Sequence, residues 1–345
     1  MKKFFALLIC VSMVFAFFTG CEKKTTIYVY NVGDYIDEEV IKLFEKEYPE
    51  INVNYETYYT NEEMHAKVKA GRTAYDVVFP SDYMVERMID EDMLLPIDFN
   101  NVPNYKNIGD EFKGLDYDSD AVYSVPYMWG TMGILYNKKM ADEEDVQSWQ
   151  AMYDSKYKGE IFMLDSERDM ISITLKSLGY SMNSTDDNEL AEAEKALVEQ
   201  KPLVKAYCGD EVKDKMIANE GAMTIAWSGD AFYCMSLNED LAYSVPKEGS
   251  NLWFDSMVIP KTSKHKKEAE LFIDFMCRPE IAKMNADYIG YSTANTAAKE
   301  LLDDEIKNDA LRYPDITKLQ NMEIFNYDAE LAKKHMDLWS RVKVK

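Results

Sequence analysis

Apolar positions along this chain switch repeatedly between two periods, short β-rich runs and stretches with helical spacing. Residues 27–30 read as a strand, and 38–48 as a helix with Val40, Ile41 and Phe44 apolar, stopped by Pro49. Residues 51–55 form the next strand. Thr60-Asn-Glu-Glu63 then opens a helix with the capping-box pattern, a hydroxyl followed three residues on by a carboxylate. Residues 75–79 are a third strand, and Ser81 opens another helix. Strands follow near 131–136, 161–164, 203–207, 222–227 and 242–245, with helices near 169–178, 187–200, 211–219 and 230–237. This order predicts α/β layers around a largely parallel sheet. No repeat, low-complexity tract or Pro/Ser-rich linker divides the chain, so two lobes would have to be joined by more than one crossing.

The first residues break this pattern. Lys2 and Lys3 precede an apolar run over 4–18 and the small-residue boundary Thr19-Gly20-Cys21, which together read as an export signal. The run is too short for a comfortable membrane span. Cleavage ahead of Cys21 would leave a cysteine able to carry lipid, with 21–26 as a tether; Phe18 stands where bacterial lipoprotein signals usually carry Leu. A plain cleaved signal and an uncleaved anchor are the competing readings. Removal of residues 1–20 leaves about 325 residues, enough for two domains with separate cores.

Charge narrows the partners. The 62 acidic against 39 basic residues give a net charge of −23, so the basic footprint that phosphate binding needs is absent. A cationic solute is favoured by the field, although an acidic surface also serves solubility alone. Cys208, Cys234 and Cys277 remain after Cys10 and Cys21; they are odd in number and lack metal or redox spacing. The three histidines are isolated and no HExxH occurs, so neither metal nor cofactor is expected.

Ligands in open α/β sheets bind beyond the carboxyl ends of the strands. Five segments share one chemistry there: Asn31-Val-Gly-Asp34-Tyr35, Pro80-Ser81-Asp82-Tyr83, Asp165-Ser166-Glu167-Arg168-Asp169, Trp227-Ser-Gly-Asp230 and Trp253-Phe-Asp255. A carboxylate offers an ammonium a charge-assisted hydrogen bond, and an aromatic face offers cation–π attraction and a surface for methylenes. A linear polyamine would match a slot with acids at its ends and aromatic walls. Helix capping, worth about 1 kcal/mol per residue, explains Ser81 and Asp169 equally well and competes at Asp34 and Asp230. Trp227 and Trp253 could be core residues, and Tyr136 and Trp149 are read as core. Asp255 is the sharpest case, because an unpaired acid beside the apolar run 256–259 would be costly.

Longer stretches carry a resemblance: Tyr28-Val-Tyr-Asn-Val-Gly-Asp-Tyr35, Ala74-Tyr-Asp-Val-Val-Phe-Pro-Ser81, Tyr123-Ser-Val-Pro-Tyr-Met-Trp-Gly130, Trp253-Phe-Asp-Ser256 and Ile289-Gly-Tyr-Ser-Thr-Ala-Asn295. Over nearly the whole mature chain the sequence resembles the spermidine/putrescine-binding proteins of bacterial ABC transporters. The resemblance implies a two-lobe, periplasmic-binding-protein-like (type II) α/β fold that closes on its ligand about a hinge. It places one lobe at 27–129 plus 254–299 and the other at 130–253 plus 300–345. It implies ligand contacts at Gly33, Asp34, Tyr35, Ser81, Tyr83, Asp169, Trp227, Asp230, Trp253, Asp255 and Tyr291, the last by resemblance alone. Val32 replaces a usual Trp and Gly33 a usual Ser or Thr. Ser166 stands at an acid and Phe325 near a Gln of the spermidine-preferring relatives, while Asp34 and Asp230 look more like the putrescine-preferring ones.

The expected function is therefore capture of putrescine or spermidine and delivery to a membrane permease and its ATPase. The protein would be a lipid-anchored monomer of the cell envelope, at the outer face of the cytoplasmic membrane or in the periplasm. Asp255 would pair with one primary ammonium, Asp230 with Asp34 would serve the other end, and Trp227, Trp253, Tyr35 and Tyr291 would enclose the methylenes. A secreted carboxylate-pair hydrolase and a receptor for another solute are the alternatives. The first lacks a nucleophile motif, and the second would ordinarily show an arginine, of which Arg168 is the only one in the selected loops.

Overall fold

The computed structural model describes residues 24–33 and 35–344, so the export signal, Cys21 and Asp34 lie outside the described residues. The chain begins with β1 (Thr25–Val32), α1 (Glu38–Glu47), β2 (Ile51–Tyr58), α2 (Asn61–Ala70), β3 (Val77–Val78) and α3 (Asp82–Asp90). Asp37 caps α1 by accepting the Glu39 N–H at 2.9 Å, and Val40 and Phe44, one turn apart, bury the face that meets the sheet. Thr60 caps α2 through the Glu63 N–H at 3.1 Å. The returning Glu63 carboxylate reaches the N–H of Tyr59 at 3.3 Å, one residue earlier than a capping box would have it.

After a series of 3₁₀ turns come β4 (Ser124–Asn137), β5 (Ile161–Leu164), α4 (Glu167–Ser177), α5 (Asp187–Gln200), β6 (Val204–Cys208), α6 (Val212–Ile217), β7 (Met223–Trp227), α7 (Ser228–Leu237) and β8 (Leu241–Ser244). The last segment holds β9 (Leu252–Val258), α8 (Lys266–Met276), α9 (Pro279–Ile289), β10 (Ser292–Thr293), two short helices, α10 (Thr296–Lys299) and α11 (Asp304–Lys307), and finally α12 (Ala329–Val344).

The sheet runs β2-β1-β3-β9-β4-β7-β5-β6, with β8 and β10 also pairing β4. It is mixed, which corrects the expectation of a largely parallel sheet. The pairs β1·β2, β1·β3, β5·β6 and β5·β7 are parallel, but everything touching β4 or β9 is antiparallel. The reason is the double crossing: β4 carries the chain out of the first half of the sheet and β9 brings it back, so the two must run in opposite directions.

β4 is the spine of the fold. All of its residues are buried. Its first part pairs β9 as far as Thr131↔Leu252, and from Met132 onward it pairs β7 and β8. At the changeover, Gly130 lies opposite Trp253. A Cβ on Gly130 would fall 2.4 Å from Ser228 Oγ and 2.5 Å from the Trp253 ring, so only glycine lets the strand pass between them. Tyr136 and Trp149 are core, as expected; Trp149 is fully buried and donates its indole N–H to the Gly249 carbonyl at 2.8 Å. Cys208, Cys234 and Cys277 are buried free thiols.

Candidate ligand-binding site

The selected loops converge where the two halves of the sheet meet. On β9, Trp253 and Asp255 are two residues apart and therefore share a face, while Phe254 between them turns into the core. The loop before α3 is tied to this strand: Ser81 bridges Asp255, Ser256 N–H donates to the Pro80 carbonyl at 2.9 Å, and Phe254 N–H donates to Asp82 Oδ2 at 3.0 Å. Asp82 is buried, and burial raises its carboxyl to about 7 against the pull of the Phe254 and Tyr83 N–H groups. Asp82 is thus the post that holds Ser81 and Tyr83 in place, a role sequence reasoning did not assign.

Asp255 accepts the Tyr35 hydroxyl on Oδ2 at 2.7 Å. Burial raises its carboxyl above the ordinary range, more than Ser81, Tyr35 and the field of Arg168 lower it. The Tyr35 ring stands edge-on to Tyr127 at 5.6 Å and to Tyr291 at 5.5 Å, and Tyr291 packs against Trp253 at 5.3 Å. Tyr291 in turn donates its hydroxyl to Asp230 Oδ1 at 3.0 Å. Two carboxylates are therefore linked through two tyrosines, with Trp253 beside the second. Asp230 is also raised, by burial first, with Lys213 and Tyr291 opposing.

The approach of Tyr291 to Asp230 depends on Gly229. A Cβ there would lie 1.5 Å from the Tyr291 ring, an overlap no rotamer adjustment of a packed ring can absorb. Since Tyr291 adjoins β10, which pairs the first part of β4 at Met128 and Trp129, and Gly229 follows β7, which pairs the later part from Met132 onward, this contact spans the two halves. A second spanning contact is Arg168, at the start of α4, which lies over the Tyr83 ring at 3.9 Å and the Phe325 ring at 4.9 Å.

The remaining candidates sit less directly. The Tyr83 hydroxyl donates to Glu62 at 2.9 Å, so this residue serves mainly as a platform for Arg168. Asp169 is buried and accepts the Ser166 hydroxyl on Oδ2 at 2.6 Å. It does not occupy the cap position of α4, which is Ser166, so capping does not explain it; Ser81 does stand at the N-cap of α3, as expected, but makes no side-chain cap hydrogen bond. Asp169 Oδ1 and Arg168 Nε have no hydrogen-bond partner among the described residues, although Arg168 Nη2 is 3.5 Å from that oxygen. Trp253 Nε1 is a third buried polar atom without a partner. Trp227 is partly buried at the start of α7, and Gly33 occupies a turn at φ 33° whose N–H donates to the Tyr58 carbonyl. Asp34 lies outside the described residues.

Lys213 was missed. Its Nζ lies 3.5 Å from Asp230 Oδ1, in the loop and helix that follow β6. The rule that selected the other strand-end loops applies equally to this one, whose Gly209-Asp210-Glu211 start carries the signal.

A mixed α/β sheet in two halves, two hinge strands and an acidic, aromatic site at their junction define a two-lobe, periplasmic-binding-protein-like receptor for a small solute. The chain belongs to the bacterial extracellular solute-binding protein family, whose model matches residues 39–314. It is 36% identical over 303 residues to the spermidine/putrescine-binding periplasmic protein of Escherichia coli, covering 88% of this chain and 87% of that one. Among solved structures it is similar to the spermidine/putrescine ABC transporter substrate-binding protein of Streptococcus pneumoniae, with 42% identity, 93% of this chain and 99% of that one covered, and a TM-score of 0.84. A lipoprotein of Treponema pallidum matches at 25% identity, covering 93% of this chain and all of its own, with a TM-score of 0.82.

Proposed function

We propose that this protein captures a polyamine, putrescine or spermidine, between its lobes and hands it to the permease of an ABC importer. The observation that carries the reading is the chain of contacts Asp255, Tyr35, Tyr291, Asp230, in which two acids flank an aromatic pair. Asp255 takes one primary ammonium, and Asp230 with Asp34 serves the other end. Tyr35, Tyr291, Trp227 and Trp253 enclose the methylenes. Asp169 Oδ1, which receives no hydrogen bond and has the Arg168 guanidinium at 3.5 Å, supports a secondary acceptor there. Gly33, Ser81 and Tyr83 complete the wall. The relatives in Escherichia coli and Streptococcus pneumoniae, named as spermidine/putrescine-binding proteins, support the same solute, and the second supports the same transporter class.

The lobes are 27–129 plus 254–299 and 130–253 plus 300–345; the changeover of β4 partners at Gly130 and Trp253 supports these limits. Lipidation at Cys21 after loss of residues 1–20 anchors the protein in the cell envelope, with 21–26 as the tether, and the working form is a monomer. A relative named as a lipoprotein supports the anchor, and no helix among the described residues is long and apolar enough to cross a membrane.

Calorimetric titration of residues 22–345 with putrescine and spermidine, after unfolding and refolding to strip bound solute, tests the proposal. Binding at micromolar or tighter affinity, about −8 to −10 kcal/mol, is expected for a capture protein. A correctly refolded sample giving no heat with either compound overturns it. Mass spectrometry of the membrane fraction, looking for acylated Cys21, tests the anchor.

A further inference from the structure

Asp255 and Asp230 stand in unlike electrostatic surroundings. The hydrogen-bond partners of Asp255 are neutral, Tyr35 and Ser81, and Arg168 acts on it only through its field. Asp230 has a cation of its own. Lys213 Nζ is 3.5 Å from Asp230 Oδ1 and 3.5 Å from Asp210 Oδ1, and the same Asp230 oxygen receives the Tyr291 hydroxyl. The pair is shielded: the Lys213 side chain keeps 26% of its surface exposed and that of Asp230 18%, against 88% for Asp210.

The geometry is fixed by the fold. Val212 and Met216 bury the face of α6 that carries Lys213 toward α7, and Asn238, at the end of α7, donates its side-chain amide to the Ile217 carbonyl at 3.0 Å. Lys213 and Asp230 are therefore held on two helices locked together. The cavity they line with Asp210 and Trp227 measures about 20 Å³, room for roughly one water. A second ammonium reaching Asp230 must share the carboxylate with Lys213 or displace it, and either course brings two like charges close in a partly desolvated place.

We propose that Lys213 sets the ligand specificity of this site by neutralising Asp230 from within, so that the end of the ligand remote from Asp255 is read as a polar group rather than as an obligatory ammonium. The inference deepens the polyamine reading and rests on it. One end of the slot demands a cation; the other accepts an amine or an alcohol of the same length. The chemical class admitted is thus wider than diamines and includes ω-hydroxy alkylamines.

Putrescine and 4-amino-1-butanol differ only in the group at one end, and calorimetric titration of both against the refolded wild type, Lys213→Met and Lys213→Arg isolates the effect. The wild type is expected to prefer putrescine by no more than about tenfold. In Lys213→Met the preference should widen by about a further tenfold, through tighter putrescine binding, because Asp230 is left without its counter-ion. Lys213→Arg, which keeps the charge, should retain the wild-type ratio. Lys213→Gln gives the same readout should the methionine variant fold poorly. An unchanged ratio in the neutral variants, with putrescine still bound, overturns the role of Lys213 and leaves the polyamine reading standing. Failure of the wild type to bind either compound overturns both.

Discussion

Asp255→Asn removes one negative charge at constant shape, and its effects on binding and on stability should have opposite signs. In the wild type the carboxylate receives the Tyr35 hydroxyl on Oδ2 and a hydrogen bond from Ser81, and its remaining lone pairs are left for an ammonium. In the variant the amide oxygen is the only acceptor left, so Tyr35 and the ligand compete for it and the amide N–H groups repel whichever cation arrives. Losing one partner of a desolvated, hydrogen-bonded charge pair costs about 2–5 kcal/mol, and this competition places the change in the upper half of that range. An affinity of about −8 to −10 kcal/mol then falls by roughly two and a half to three and a half powers of ten. Stability moves the other way. Burial raises the folded-state carboxyl above its unfolded value, so the unfolded chain releases this proton more readily. The group's favourable contribution is therefore present at low pH and lost as pH rises through the raised folded value, which makes the ionised form a cost at neutral pH. The ligand-free variant should melt at or above the wild-type temperature at pH 7 while losing ligand-induced stabilisation. Calorimetry and thermal melts at fixed pH and ionic strength read both quantities. An affinity within about threefold of wild type would refute the pairing of Asp255 with an ammonium, and a large drop in the ligand-free melting temperature would show that its role is structural.

Three further outcomes follow from the same geometry. Gly229→Ala places a methyl inside the Tyr291 ring and must push that ring off Asp230, so affinity should fall at least about tenfold with the circular dichroism spectrum unchanged; unchanged affinity would show that Tyr291 does not seal the site. Because burial raises both Asp255 and Asp230, polyamine affinity should begin to fall, as pH is lowered, before the ordinary carboxylate range near 4 is reached, earlier than exposed acids would allow. A flat affinity down to about pH 4.5 in a titration series contradicts that. Glu323 accepts the largely buried Lys176 ammonium and the Met182 N–H, and its carbonyl accepts the N–H of Leu252 at the start of hinge strand β9. Glu323→Ala should therefore cost about 3 kcal/mol in chemical denaturation by stranding Lys176, and a loss below about 1 kcal/mol would mark the pair as a solvated contact.

What the sequence made legible follows a physical division. Local signals were read well: the strand at 161–164 and the helix at 187–200 fall where their elements lie, because short apolar runs and cap residues act on their own neighbourhood. Pairing direction was not legible. Nothing within 124–137 or 252–258 encodes that the two strands run against each other, since that is a property of where the chain crosses and returns. The site shows the same split. Carboxylates and aromatics at strand ends pointed to Asp255, Trp253 and Asp230, and resemblance added Tyr291. The hydroxyl bonds that link them join residues up to 220 positions apart and have no local trace. Asp82 illustrates the gap, reading as an ordinary helix-start acid while its carboxylate holds the backbone of a strand 172 positions on.

The contacts that span the two halves also say what closure must do. Arg168 over Tyr83, and Tyr291 on Asp230, each bring a group from one half of the sheet against a group from the other. In each case the contact consumes a surface a cation would otherwise use: the ring of Tyr83 is covered by Arg168, and Asp230 is shared with Lys213. Internal cations therefore occupy part of an acidic cleft in a chain whose net charge is already −23. The long-range field draws in any polycation. Asp255 is left as the acid whose direct hydrogen-bond partners carry no charge, and this is why its substitution is the sharpest test of the site.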